Sequence, residues 1–207
     1  MEYKTEQERF WAGEFGNNYI DRNKSENIVA ANISMLSSIL KQTKDVSKII
    51  EFGSNIGLNL EALKVLLPQA SLSAIEINEN AVKSLSRFDD LTVHHTSILD
   101  FEPAEQHDLV LIKGVLIHIN PDKLNHVYEL LYQSSRKYIC LAEYYNPTPV
   151  DVEYRGHKER LFKRDFAGEL MDKYPDLKLI DYGFVYHRDN TFPQDDMTWF
   201  VLEKKSK

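Results

Sequence analysis

One cysteine stands in 207 residues, with only eight glycines and seven prolines. The lone thiol, Cys140, excludes an internal disulfide framework. It lies in an apolar run and reads as a buried core group in a reducing compartment. So little glycine and proline, against 43% hydrophobic and 28% charged residues, excludes fibrous and low-complexity chains. No run approaches the roughly 18 apolar residues of a membrane-spanning helix, and the opening residues hold no apolar signal core. A cytoplasmic protein with no membrane partner is expected. Positive charge is also short: 25 basic side chains against 32 acidic ones give a net charge of -7, which offers no general attraction to nucleic acid. His94, His95, His107 and His157 stand at no convincing ligand spacing with carboxylates, so no metal is expected.

This length suits one α/β core and is short for two. Apolar patterning predicts strands over 46–52, 72–77, 91–95, 109–113 and 138–143, with helices over 58–67, 80–87, 121–134 and 166–173. Pro68 stops the first of these helices, and Asp165 is placed to cap the last. Two final strands, 177–186 and 197–203, have no helix between them and read as an antiparallel edge hairpin. The fold class is therefore α/β and Rossmann-like: a mostly parallel seven-stranded sheet, a C-terminal antiparallel hairpin and helices on both faces. Residues 1–45 read as a helical lid segment of the same domain and 46–207 as its core. In that lid, Trp11, Phe15 and Tyr19 recur every four residues on one helical face, while Gly13 and Gly16 limit it to a short helix followed by a loop.

The strongest local signal is Glu51-Phe-Gly53-Ser54-Asn55-Ile-Gly57-Leu-Asn59, a strand running through glycines into a helix. Gly53 permits a tight turn and close approach of a ligand. Glu76 ends the second strand, where a carboxylate accepts both hydrogen bonds of a ribose diol, with Ile77 next to it. A dinucleotide fingerprint has glycine at the middle position; Asn55 there crowds a pyrophosphate. S-adenosylmethionine has no pyrophosphate, and Glu51 suits its loop or its amine. NAD(P), or a turn without a ligand, are the other readings. Ser97 and Ile98, after the third strand, are placed to face adenine, with Asp100 as a second candidate or a turn cap. Lys113 and Gly114 border the cofactor after the fourth. His118 at the same edge is either a general base or a loop-fixing group.

These residues resemble the class I S-adenosylmethionine-dependent methyltransferases. The whole chain more narrowly resembles the methyltransferases associated with pseudaminic acid biosynthesis. The carrying segments are 5–23 (TEQERFWAGEFGNNYIDRN), the turn 51–59, and the stretches Glu153-Tyr-Arg-Gly-His and Arg160-Leu-Phe-Lys-Arg-Asp-Phe-Ala-Gly-Glu169. The resemblance implies a bacterial cytoplasmic enzyme that methylates oxygen or nitrogen of a small sugar-related or sugar-nucleotide acceptor. It also implies that Tyr19 and Arg22 approach the methionine carboxylate and that Trp11 and Phe15 close the lid. Ser97 departs from the superfamily pattern, in which an aspartate is frequent.

For the acceptor, Tyr144, Tyr145 and Asn146 are placed beside the methyl donor, with Tyr144 a second catalytic candidate. Arg155, His157 and Arg160, on a loop or short helix, with Tyr186 and Arg188 beyond, form a candidate wall for an anionic carbohydrate. Asp195 and Asp196 either orient an amine acceptor or, the preferred reading, solvate the hairpin loop. A catalytically silent cofactor-binding protein and a methyltransferase of protein side chains are the competing functions, and the assembly is expected to be a monomer or homodimer.

Overall fold

The computed structural model describes residues 2–22 and 26–205. Strands β1 (Lys48–Phe52), β2 (Ser71–Glu76), β3 (Leu91–His95), β4 (His107–Lys113) and β5 (Ser135–Glu143) alternate with helices α4 (Leu58–Leu66), α5 (Glu79–Leu85) and α6 (Leu124–Ser134). Three helices precede them: α1 (Glu6–Ala12), α2 (Glu14–Arg22) and α3 (Glu26–Leu40). After β5 come a two-stranded hairpin of β6 (Val150–Tyr154) and β7 (His157–Lys163), helix α7 (Phe166–Lys173), and strands β8 (Leu177–Val185) and β9 (Met197–Lys204). The main sheet has seven strands in the order β3-β2-β1-β4-β5-β9-β8. Its first five strands are parallel; β9 runs antiparallel to both β5 and β8. The expected Rossmann-like sheet with its antiparallel C-terminal hairpin is the observed one.

The inner strands are apolar on consecutive residues because helices cover both faces of the sheet, and successive side chains point to opposite sides. Ile50, Phe52, Val110, Ile112, Ile139 and Leu141 join α6 and α7 in one core, whereas Ile49, Leu109, Leu111 and Cys140 join α3 and α4 in the other. Cys140 is a buried free thiol. Its pKa is pushed up to about 12 by burial, which makes it inert. Among the described residues no helix is long and apolar enough to cross a membrane.

Two expectations need correction. The segment around Arg155, expected as a loop or short helix, is the β6–β7 hairpin, in which Tyr154 pairs with His157 across Arg155 and Gly156. Those two residues have φ of 51° and 83°, the left-handed pair that a two-residue hairpin turn requires. The N-terminal segment is also two helices, not one helix and a loop. The chain breaks at Gly13, and α2 begins at the next residue. Its aromatics still cluster: Trp11 lies 5.4 Å from Phe15 and 5.2 Å from Tyr19, both edge to face.

At the amino ends of the strands, Asp108 fixes the sheet. Its Oδ2 accepts from Ser47 N (3.0 Å), Ser47 Oγ (2.9 Å) and Lys48 N (3.1 Å), and its Oδ1 accepts from the Arg136 guanidinium. One carboxylate thus ties the starts of β1, β4 and β5. Burial opposes its ionisation, but hydrogen bonds from Arg136 and Ser47 outweigh that effect and lower the pKa to about 2. A lowered carboxyl pKa stabilises the fold above the unfolded value and ceases to do so as pH falls through the folded one. Asp108→Asn should therefore cost about 2–4 kcal/mol at pH 7, with the gap to wild type closing between pH 4 and pH 2 in denaturant titrations.

Candidate functional site

β1 is followed in sequence by β2 and β3 on one side of it, while β4 lies on its other side, so the order reverses between β1 and β4. The carboxyl ends of the strands at such a reversal form a crevice. The turn after β1 enters it with φ of 75° at Gly53, 47° at Asn55 and 81° at Gly57. The Gly53 and Ser54 amides both donate to Ile75 O (2.9 and 3.1 Å), tying the turn to β2. A Cβ on Gly53 would stand 2.6 Å from Val115 Cγ2. Its small size therefore makes room for the loop after β4, while its backbone borders the cavity. Gly57 caps α4 and packs under Leu85 and Phe88 of the α5 region.

Glu76 organises the middle of the crevice. Its Oε2 accepts from Asn55 N and its Oε1 from Asn78 N, each at 2.7 Å. Burial raises its pKa against the pull of those two amides. Asn78 caps α5 through its Oδ1, while its Nδ2 reaches Trp11 O (3.1 Å) and Asn17 Oδ1 (2.9 Å). The same residue thus closes the α5 turn and anchors the N-terminal helices. At the end of β3, the Ser97 hydroxyl accepts from Leu99 N (3.0 Å) and donates to the Glu8 carboxylate. Asp100 pairs with Lys4 and is not part of the cavity lining, and the cap of the turn is Ser97.

Below the turn, Glu51 is 1% exposed. Its Oε1 accepts from Asn59 Nδ2 at 2.6 Å, while Glu51 Oε2 and Asn59 Oδ1 are buried acceptors without a partner among the described residues. Burial pushes the Glu51 carboxyl up to about 8, against the Asn59 hydrogen bond and the charge of Lys113. Lys113 is half-buried, with Nζ donating to Asn32 Oδ1 at 3.1 Å; desolvation lowers its pKa, and Glu51, Asp195 and Glu143 counter that. Glu143, at the end of β5, accepts from Val115 N (3.0 Å), Leu116 N (2.9 Å) and Ile117 N (3.4 Å), which moulds the loop that presents His118. His118 Nδ1 lies 2.5 Å from Arg160 O. A carbonyl only accepts, so Nδ1 carries the proton and Nε2 keeps its lone pair. Burial lowers the His118 pKa to about 4, leaving the ring neutral at physiological pH.

These elements enclose a cavity of about 470 Å³, within the size range of small-molecule sites. Of the expected cofactor residues, Trp11, Tyr19, Gly53, Ser54, Asn55 and Asn59 line it, as do Glu76, Ile77, Ser97, Ile98, Lys113 and Gly114. His118 lines it too. Glu51 and Gly57 lie outside the lining. Phe15 stacks on Phe10 at 4.0 Å, and Arg22 is exposed, its guanidinium 5.4 Å from the Phe15 ring.

The expected acceptor residues stand apart from the cavity. Burial raises the Tyr144 pKa, and the nearby Asp195 carboxylate raises it further. Tyr145 is exposed against Phe200, and Asn146 Nδ2 donates to Thr148 O at 2.5 Å. Arg155 is at the hairpin tip, His157 packs 5.0 Å from Phe10, and Arg160 pairs with Glu6 at 2.9 Å. Tyr186 and Arg188 are exposed. The lining adds residues that the sequence did not single out, among them Glu8, Asn32, Asn78, Val115, Gln194 and Met197, and it includes His187. Asp195, expected to solvate a loop, borders the cavity. No arginine lines it, and among the described residues no group of His, Cys, Asp and Glu is placed to hold a metal ion.

A scan of family models and a search of curated proteins produced no match. Solved structures do match. The N-methyltransferase NodS from Bradyrhizobium japonicum, in complex with S-adenosyl-L-homocysteine, aligns with a TM-score of 0.67 at 14% identity, over 91% of this chain and 98% of its own. The 1,6-didemethyltoxoflavin-N1-methyltransferase of Burkholderia thailandensis aligns at 0.69 and 11% identity, over 97% and 87%. The plantazolicin methyltransferase BpumL aligns at 0.64 and 15% identity, over 96% and 94%. The fold is that of the class I methyltransferases.

The raised carboxyl at Glu51 gives a measurable signature in this fold. A folded pKa above the unfolded one favours folding at low pH and loses that effect as pH climbs through the folded value. Between pH 5 and pH 8, ligand-free wild type should lose stability that Glu51→Gln retains, by on the order of 2–4 kcal/mol, read from chemical denaturation at the two pH values.

Proposed function

We propose that the chain is an S-adenosylmethionine-dependent methyltransferase acting on oxygen or nitrogen of a small acceptor. The observation that carries this reading is Glu76, a buried carboxylate fixed by two backbone amides at the end of β2, beside a left-handed turn and over unpartnered buried acceptors. A carboxylate so held keeps lone pairs for a ribose diol. Glu51 Oε2 and Asn59 Oδ1 would satisfy an ammonium group. Trp11 Nε1, a buried donor without a partner among the described residues, suits an acceptor atom. The cofactor fits these residues. When bound, it supplies an electrophilic methyl group on a sulfonium centre.

The chain's own contribution is positioning and exclusion of water. Residues 1–45 serve as the cover and 46–207 as the core. Trp11 lies 4.6 Å from His118, and Tyr154 of the hairpin 5.0 Å, so α1 and the β6–β7 hairpin close on the imidazole from two sides. At the acceptor end, His118 Nε2 and the Asp195 carboxylate both accept hydrogen bonds. They suit a hydroxyl or amine as the reacting group, with Nε2 positioned to take its proton. A carbohydrate-related acceptor, as in the methyltransferases associated with pseudaminic acid biosynthesis, is consistent with the N-terminal and turn segments. Any anionic part of it is left to the hairpin rim, where Arg155 is exposed. The reading places the enzyme in a bacterial cytoplasm, as a monomer or homodimer.

Titration calorimetry with S-adenosylhomocysteine tests the cofactor assignment. Wild type should bind, and Glu76→Gln should raise Kd roughly tenfold while still melting cooperatively. No binding by wild type would sink the assignment. Binding without release of S-adenosylhomocysteine, across hydroxyl- and amine-bearing sugars, would leave a silent cofactor-binding protein instead. His118→Asn preserves a donor for Arg160 O but has no Nε2. We expect it to lower kcat by about 10²-fold or more with the cofactor Kd unchanged.

A further inference from the structure

The base-binding end of the cavity takes a wall residue from a distant part of the chain. Glu8 is the third residue of α1 and forms a capping box with Thr5. Its Oε2 accepts from Thr5 N (2.7 Å) and Thr5 Oγ1 (3.1 Å), and its Oε1 accepts from the Ser97 hydroxyl. The side chain is buried, yet it lines the cavity beside Ser97. A carboxylate offers about four lone-pair sites, so one on Oε1 stays open.

The Ser97 and Asn78 side chains beside it are already engaged. Ser97 uses its proton on Glu8 and its oxygen on Leu99 N. Asn78 donates to Trp11 O and Asn17, and accepts from Asn80 N and Ala81 N. Glu76 pairs in register with His95, one strand away from the Ser97 turn. A ligand whose ribose rests on Glu76 therefore extends its base towards Glu8.

We propose that Glu8 reads the exocyclic amino group of adenine, accepting a hydrogen bond from it on Oε1. This makes the N-terminal cover part of the base-recognition site. The inference rests on the S-adenosylmethionine reading above. An amino group donates to a carboxylate, whereas the carbonyl of hypoxanthine sets oxygen against oxygen. Glu8 would then discriminate between the two bases, and a purely structural capping residue would not.

The test is calorimetric titration of the full chain with S-adenosylhomocysteine and with S-inosylhomocysteine. Wild type should prefer the adenine compound by roughly 10- to 100-fold. Glu8→Gln keeps a capping-box side chain and should reduce the preference to about threefold or less. Ser97→Ala, which leaves the carboxylate in place, should keep the preference above about tenfold. An unchanged ratio in Glu8→Gln, a lost ratio in Ser97→Ala, or equal binding of both compounds by wild type would each overturn the role of Glu8 alone. Failure of wild type to bind either compound would overturn the cofactor assignment, and the role of Glu8 with it.

Discussion

The carboxylate of Glu76 takes the amide of Asn55 on one oxygen and that of Asn78 on the other, and the shape of the cavity follows from those two bonds. A left-handed turn between a strand and a helix leaves amides with no ladder partner, and a buried amide without one costs free energy comparable to a lost hydrogen bond. Glu76 removes that cost at the β1 turn and at the start of α5 together. Glu143 does the same for three successive amides after β4. Each carboxylate is itself expensive to bury, and what surrounds it determines the direction of its pKa. Asp108, with a guanidinium and hydroxyl and amide donors, is held low; Glu143 and Glu76, with backbone amides as their main donors, are pushed up.

The cover is held by the same contacts that line the cavity. Gln7 donates to Glu159 O of the hairpin (3.0 Å), Asn120 to Gln7 Oε1 (3.4 Å), Asn78 to Trp11 O, and Ser97 to Glu8. Around these polar ties lie ring contacts of Phe10 with His157 and Phe15 with Tyr154. Each is worth about 0.5–1.5 kcal/mol beyond the area it buries. Closure is therefore spread over several modest contacts between α1, α2 and the β6–β7 hairpin. A ligand that engages Trp11 or Glu8 adds to that closure directly.

The parallel core was legible because strands covered on both faces must be apolar along their length. The glycine turn was legible because few residues other than glycine tolerate positive φ. What escaped was set by partners far away in sequence. That Gly53 also makes room for Val115 is not visible in the turn itself. Glu8 is visible as half of a Thr5–Glu8 capping box, yet nothing local discloses Ser97. The β6–β7 hairpin leaves Val150 and Val152 exposed and buries only Leu161 and Phe162, adjacent residues near the end of β7, so no alternating pattern runs along it; only the Arg155-Gly156 tip hints at it. Their four-residue spacing groups Trp11, Phe15 and Tyr19 on one helical face, although a short helix followed by a loop is expected there. They meet because α2 begins again at once after the break at Gly13, so the grouping held for a different reason.

Charge explains why these acids gather around one cavity. Glu8, Glu76 and Asp195 border it, Glu51 and Glu143 stand behind it, and Lys113 is the lysine in its lining. Lys113 is one cation among several acids, so it offsets only part of their charge. In a water-poor site such an imbalance is costly, because each ionised group interacts more strongly with its like-charged neighbours than it would in water. Protonation of Glu51 is one way to relieve that cost, consistent with its raised carboxyl. A bound cation is the other. The proposed ligand carries an ammonium group and a sulfonium centre against one carboxylate, so as a net cation it offsets part of the imbalance without taking up a proton.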